Sequence, residues 1–393
     1  MTEQPFRLSF DNTEAAFAYL SDKELKKTRF IFSIMHDGWL VKAGSVLAPA
    51  ALKLRLPVKG LIRNTVFKQF CGGENLEEAA LTAQRLARFN VGVILDYGVE
   101  ASEGEENYDH AIVEFKKAIE HASLQSNIPF ISLKVTGFAQ LALLEKIHAG
   151  DPLTGEEKQE FGRVRQRIYT ICKHAFDHHI GVLIDAEESW IQQPVDDLAD
   201  EMMAEFNKEK GVIYNTFQLY RHDRLGFLKR SFTKAQQNNY TLGAKLVRGA
   251  YMEKERKRAA DMNYPSLIQK DKDSTDQDYN EAVRFCIDHL EDMAVFIGTH
   301  NEESSMLGAR LLHEKGISHD YPDVHFSQLY GMSDNITFNL AKAGYPVSKY
   351  LPYGPVKDVL PYLIRRAEEN SSIAGQMGRE LSLINAECKR RGL

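Results

Sequence analysis

The residues best equipped for chemistry in this chain sit where short apolar runs give way to polar ones. Leu133 is followed by Lys134-Val135-Thr136-Gly137, Ile184 by Asp185-Ala186-Glu187-Glu188, and Val247 by Arg248-Gly249-Ala250-Tyr251. Gln218 with Tyr220, Thr299-His300-Asn301, Gln328-Leu329-Tyr330 and Tyr350 close further runs, and Lys245 lies within the run that ends at Val247. Ammonium, carboxylate and guanidinium groups gathered in this way suit the binding and polarising of a small charged substrate, or amine chemistry at Lys134 or Lys245. A second constellation, Tyr362, Arg365, Arg366 and Glu369, lies near the C-terminus. Residues three or four apart share a helix face, so Tyr362, Arg366 and Glu369 project together with Arg365 beside them. Two adjacent guanidinium groups can hold a carboxylate through paired, charge-assisted hydrogen bonds. The plain alternative is a solvated, salt-bridged face.

The elements that must position these groups recur in a regular rhythm. Runs rich in Val, Ile, Phe and Tyr read as strands at 91–97, 130–136, 182–186, 212–219, 243–247, 294–298, 324–329 and 347–350. Between them lie amphipathic patterns, clearest at 160–176, 195–208, 275–290 and 302–315, long enough for right-handed helical crossovers. Such alternation folds either as an open doubly wound sheet or as a closed barrel. No GxGxxG follows the first strand, which removes the usual dinucleotide signature. The expectation is therefore an α/β fold, a (β/α)₈ TIM-like barrel, with catalytic groups at the carboxyl ends of its strands. We place a helical arm over 1–85, packed on a barrel over 86–375, and a helical tail over 376–393. The irregular stretch 263–274 reads as a loop on the active-site side.

Bulk properties exclude several classes. The 393 residues are 43% hydrophobic and 26% charged with a net charge of −6, which argues against a nucleic-acid-binding face. The four cysteines are widely separated and read as reduced thiols, not a disulfide framework. The first residues resemble neither a secretion signal nor an Arg-rich transit peptide. The apolar stretch 31–54 is interrupted by His36, Asp37, Lys42 and Lys53, so it reads as an amphipathic arm and not a membrane span. His174, His178 and His179 have helical spacing but no ligand partner beyond Asp177; a solvated helix end is expected and no metal site. The mixed charges of 253–258 read as an exposed helical segment. Two competing readings are a barrel lyase with Lys134 or Lys245 as a Schiff-base amine, and a non-enzymatic scaffold, which would leave the crowded polar strand ends without a purpose.

In order along the chain, LKVTG at 133–137, IDAEE at 184–188, KLVRGAY at 245–251, THN at 299–301 and YLIRRAEEN at 362–370 resemble the proline dehydrogenase family. DYGVE at 96–100 and QLYGM at 328–332 are similar to family segments as well, so the resemblance covers most of the chain. It implies a distorted barrel that binds FAD non-covalently and oxidises L-proline to Δ1-pyrroline-5-carboxylate, with hydroxyproline as the alternative substrate. It implies that Lys134, Arg365 and Arg366 bind the substrate carboxylate, with Leu329, Tyr350, Tyr362 and Glu369 completing the substrate site. Lys134, Asp185, Lys245 and Tyr251 are the catalytic positions it implies. Asp185, Ala186, Gln218, Lys245, Val247, Arg248, Gly249, Ala250, Thr299, His300, Asn301 and Gln328 are the flavin-binding ones. Lys245 departs from the Arg of many bacterial members, keeping the charge but losing the two-pronged donor. The resemblance further implies a quinone electron acceptor. No aldehyde dehydrogenase domain is read before Leu393, so a separate pyrroline-5-carboxylate dehydrogenase is expected for the second oxidation. It implies a cytoplasmic location, peripheral on the inner membrane, or the mitochondrial matrix in a eukaryote.

Overall fold

The computed structural model describes residues 6–35, 59–98, 104–372 and 374–393, and for residues 61 and 367–377 it describes the backbone alone. Eight parallel strands, β1 (Gly92–Tyr97), β2 (Phe130–Leu133), β3 (Gly181–Ile184), β4 (Ile213–Gln218), β5 (Leu242–Val247), β6 (Met293–Gly298), β7 (Val324–Leu329) and β8 (Val347–Tyr353), close into a barrel in sequence order. The expected fold class is the observed one. Of the expected amphipathic stretch 31–54, residues 36–54 lie outside the described residues.

Two compact units divide the chain. One comprises Met1–Glu100 with Gln328–Leu393, the other Ala101–Ser327. In the first, β1 pairs with β8 from Gly92↔Ser348 to Tyr97↔Tyr353. Helices Thr13–Phe17 and Asp22–Met35 precede this pair, and helix Leu76–Ala87 leads into it. Asn75 caps that last helix by accepting from the Glu78 N–H, as a short polar side chain does for the orphan donors of a first turn.

In the second unit β2 through β7 pair consecutively. Strands β3 and β4 are buried along their whole length, as expected for parallel strands covered on both faces. An aromatic layer formed by Phe130, Tyr214, Phe296 and His325 fills the interior, with Phe130 edge-on to Phe296 at 5.0 Å and His325 stacked on Phe296 at 4.7 Å. Burial drives the His325 imidazole down to about 3, so it is neutral in this setting.

Several boundaries differ from the sequence expectation. Strand β2 stops at Leu133, not at residue 136, because Val135–Gly137 turns into a 3₁₀ helix whose Thr136 N–H is taken by the Glu187 carboxylate at 3.1 Å. Strand β8 runs on to Tyr353, and the helix expected at 160–176 begins at Gly155, where Thr154 and Glu157 form a capping box. The 253–258 segment is helical, within Met252–Asp261, but not simply exposed: Glu255 is buried.

Candidate active site

In the unit formed by 101–327, three strand ends bring three charged groups together. Lys134 follows β2, Asp185 follows β3, and Lys245 lies within β5. The Asp185 carboxylate accepts from Lys134 Nζ at 2.8 Å through one oxygen and from Lys245 Nζ at 2.6 Å through the other. Both Asp185 and Lys245 are buried. Burial by itself would raise the Asp185 carboxyl, but the two ammonium groups outweigh it and hold it well below the usual carboxylate range. A Schiff-base amine must be free and neutral to attack a carbonyl; both lysine nitrogens are instead engaged in ion pairs with Asp185, which counts against the lyase reading.

Beside this bridge stands a carboxyl whose part the sequence did not reveal. Glu187 accepts from the Thr136 N–H at 3.1 Å and the Thr136 hydroxyl at 2.5 Å, while its own N–H donates to Gln192 Oε1 at 2.8 Å. Burial pushes Glu187 up to about 7 against the lowering influence of the Thr136 bonds. Its effect is to tie the turn after Lys134 to the loop after Asp185. The same loop is clasped from the far side, where Glu255 accepts from the Ser189 N–H and hydroxyl, both at 2.6 Å. Arg258 stacks on Trp190 with its guanidinium 4.3 Å from the ring centroid. Helix Met252–Asp261, which starts directly after Tyr251, is thereby docked on the β3 exit.

The β5 and β6 exits form a second polar network. Arg248 donates to Asp276 at 2.8 Å, to the Thr299 hydroxyl at 2.6 Å and to the Ser304 hydroxyl at 3.0 Å, and its guanidinium lies 4.3 Å from the Tyr279 ring centroid. Asn301 caps helix Glu302–Glu314 by accepting from the Ser304 N–H at 2.9 Å, while its own N–H donates to Thr299 at 3.1 Å. A capping motif thus fixes the THN segment. Gly249 has φ +132°, and a Cβ there would lie 2.4 Å from the Tyr220 ring, so only glycine fits between Arg248 and Ala250. His300 follows Thr299 in the same exit and is half-buried, while Ala186 and Val247 complete the β3 and β5 ends.

In the unit containing 328–393, Gln328 is the penultimate residue of β7, and its side-chain oxygen accepts from the Thr337 hydroxyl at 2.7 Å. The Tyr330 N–H donates to the Tyr350 carbonyl at 2.9 Å, linking the β7 exit with Leu329 to the buried Tyr350 of β8. Tyr362 and Arg366 share a face of helix Leu360–Ser372, the guanidinium 5.2 Å from the tyrosine ring centroid. Arg365 is half-buried next to them. The Glu369 side chain lies outside the described residues.

A flavin is compatible with the positions assigned to it. Gln218, at the end of β4, is buried, and its side-chain oxygen has no hydrogen-bond partner. An unsatisfied buried acceptor costs about 1–3 kcal/mol, and a flavin ring carries an N–H that would satisfy it. Arg248 and Lys245 supply positive charge nearby in the sequence of the same strand exit. Among the described residues, no group of three or more His, Cys, Asp or Glu could hold a metal ion. The histidines at 174 and 178 instead pack on each other at 4.3 Å. All four cysteines are buried and free. No described helix is long and apolar enough to cross a membrane.

Comparison with known proteins gives a concordant result. Residues 79–379 match the family model described as proline dehydrogenase. The carbapenem antibiotics biosynthesis protein CarD of Pectobacterium carotovorum subsp. carotovorum is 35% identical over 333 residues, 85% of this chain and 86% of that protein. Proline dehydrogenase 2, mitochondrial, of Arabidopsis thaliana is 30% identical, covering 98% of this chain and 90% of that protein. Among solved structures, proline utilization A (PutA) from Bdellovibrio bacteriovorus inactivated by N-propargylglycine aligns with a TM-score of 0.73 at 18% identity, over 92% of this chain and 41% of that one. That likeness concerns the fold; this chain spans well under half of the PutA chain.

Proposed function

Because the chain belongs to the proline dehydrogenase family, we propose that it oxidises L-proline to Δ1-pyrroline-5-carboxylate with FAD as its cofactor. The observation that carries this reading is the Lys134–Asp185–Lys245 bridge, two cations fixed on one buried carboxylate at the strand ends of a barrel. FAD, when bound, supplies the acceptor for the hydride leaving the ring carbon next to nitrogen. The chain supplies orientation and electrostatics. Lys134, Arg365 and Arg366 hold the substrate carboxylate, which fixes the ring and lowers the entropic cost of approach. Asp185 sets the direction of both lysine nitrogens, so that Lys134 meets the substrate and Lys245 meets the cofactor. Leu329 and Tyr350 pack on the ring, and Tyr251 and Tyr362 shape the pocket. Glu369 belongs to the substrate group on its place in the sequence motif. Ala186, Gln218, Val247, Arg248, Gly249, Ala250, Thr299, His300, Asn301 and Gln328 bind the flavin together with Asp185 and Lys245.

In this reading 86–375 is the catalytic barrel, with 1–85 its arm and 376–393 its tail. Electrons leave to a quinone-type acceptor, and a pyrroline-5-carboxylate dehydrogenase activity consumes the product. The protein works in the cytoplasm at the periphery of the inner membrane, or in the mitochondrial matrix of a eukaryote. The test is an absorbance spectrum of the purified protein before and after addition of L-proline. A flavin band that bleaches on addition is expected. A protein with no flavin after denaturation, or a band that proline leaves unchanged, would refute the proposal.

A further inference from the structure

Leu329, Tyr330 and Tyr350 belong to one assembly in the unit of 1–100 and 328–393, and its anchor is a lysine that the proposed reaction does not use. Lys349 precedes Tyr350 on β8, and its side chain is 1% exposed. Its ammonium pairs with Asp334 at 2.8 Å, donates to the Met332 carbonyl at 2.5 Å and reaches the Leu329 carbonyl at 3.5 Å. A buried cation is tolerated only where partners replace its water, and here two of those partners are backbone carbonyls of the turn leaving β7. The counter-ion is itself held from the N-terminal arm. The Tyr19 hydroxyl donates to Asp334 at 2.7 Å, and burial together with that carboxylate keeps Tyr19 protonated.

The same turn is gripped a second time. Gln69 donates its amide N–H to the Gly331 carbonyl at 3.1 Å, and the Thr28 hydroxyl donates to Gln69 Oε1 at 3.1 Å. Gly331 has φ +77°, and a Cβ there would lie 1.9 Å from the Gln69 carbonyl oxygen. Ser333, the next residue but one, has its N–H taken by Glu380. Tyr330–Ser333 is buried, so its carbonyls need partners in any case. That these partners are side chains of β8 and of the N-terminal arm braces the turn from two elements, which suits one that presents a side chain to a small ring, because sub-ångström placement decides packing.

We propose that Lys349 is a positioning residue, which through the Met332 and Leu329 carbonyls fixes the turn that presents Leu329 to the substrate ring. The inference rests on the proposed contact between Leu329 and proline. It gives the N-terminal arm a part in substrate recognition, through Tyr19 on the counter-ion and Gln69 on Gly331.

The decisive variant is the double substitution Lys349→Met with Asp334→Asn, which removes cation and counter-ion together and leaves no buried charge alone. Its melting temperature and flavin content are expected to stay near those of the parent. KM for L-proline is expected to rise about tenfold with kcat changed far less, the size that lost apolar packing on a small substrate gives. A parental KM in the double variant would make Lys349 a structural counter-ion only and overturn the proposal. Leu329→Ala tests the reading beneath it: a raised KM keeps Leu329 on the ring, whereas an unmoved KM removes it and the proposal falls with that reading. If Leu329→Ala raises KM and the double variant does not, the positioning proposal alone is lost. Gln69→Leu frees the Gly331 carbonyl without exposing a buried charge, which guards against a double variant that fails to fold. It is expected to raise KM in the same direction, and an unchanged KM would count against the turn as the route.

Discussion

Replacing Glu187 by Gln should make the protein more stable at pH 8 while changing little at pH 5. Glu187 is 4% exposed, and burial pushes it up to about 7 from an ordinary value of 4.5. Between those two pH values the unfolded chain has released the proton and the folded chain still holds it. The folded state then binds one proton more, so its stability falls as pH rises, by at most about 1.4 kcal/mol per pH unit. The whole interval, 4.5 to about 7, amounts to roughly 3 kcal/mol lost by pH 8. Gln cannot ionise and avoids that loss. Its carbonyl can still accept from the Thr136 N–H, and its amide can donate to the Thr136 hydroxyl, so the bonds now at 3.1 and 2.5 Å have replacements. Urea unfolding followed by tryptophan fluorescence at pH 5, 6, 7 and 8 gives the difference between the two proteins at each pH, in which groups common to both cancel. The difference should grow in favour of the variant up to neutral pH and then level. A difference that is flat with pH, or that grows towards acid, would refute the reasoning.

Other expectations follow from the same geometry. Asp185→Asn leaves the cations of Lys134 and Lys245 without their shared carboxylate; a stability loss of about 3–5 kcal/mol is expected, as for breaking other buried pairs, with kcat/KM falling alongside. Because the folded Asp185 carboxyl sits below its ordinary value, that contribution is present above about pH 4 and fades only as pH falls further; urea unfolding from pH 3 to 7 checks both size and sign. Arg366→Ala should raise KM for L-proline roughly thirtyfold or more, the equivalent of about 2 kcal/mol or above for removing one partner of a charged pair. Flavin content measured by absorbance should stay unchanged, and loss of flavin instead would assign Arg366 to the other ligand. Tyr350→Ser should raise the kcat/KM ratio for 4-hydroxyproline over proline by opening space beside the ring, and an unchanged ratio would remove Tyr350 from the substrate wall.

The barrel was legible because its signal is local: each strand is a short apolar run, each crossover an amphipathic stretch, and the polar groups fall where one gives way to the other. Lys134, Asp185 and Lys245 could be singled out on that basis, and the structure brings all three into direct contact. What stayed hidden depends on partners distant in sequence. Glu187 finds Thr136 across 51 positions and Glu255 finds Ser189 across 66, so neither the early end of β2 nor the burial of a glutamate within a charged helix is written in any local pattern. Lys349 carried a faint sign, a lysine inside an apolar strand, but its counter-ion at Asp334 belongs to a different element. Side-chain burial of charge is decided by tertiary pairing, and single-sequence periodicity does not report it.

The bridge at Asp185 also settles a matter of charge accounting. Two ammonium groups share one carboxylate, so the trio carries a single surplus positive charge before anything binds. A ligand bearing one anionic group offsets the surplus of the trio itself, whereas a neutral ligand of the same shape leaves it uncompensated in a partly dehydrated place. In the proposed reading the trio therefore favours a ring acid over its amide or ester, a preference that should weaken as added salt supplies competing anions.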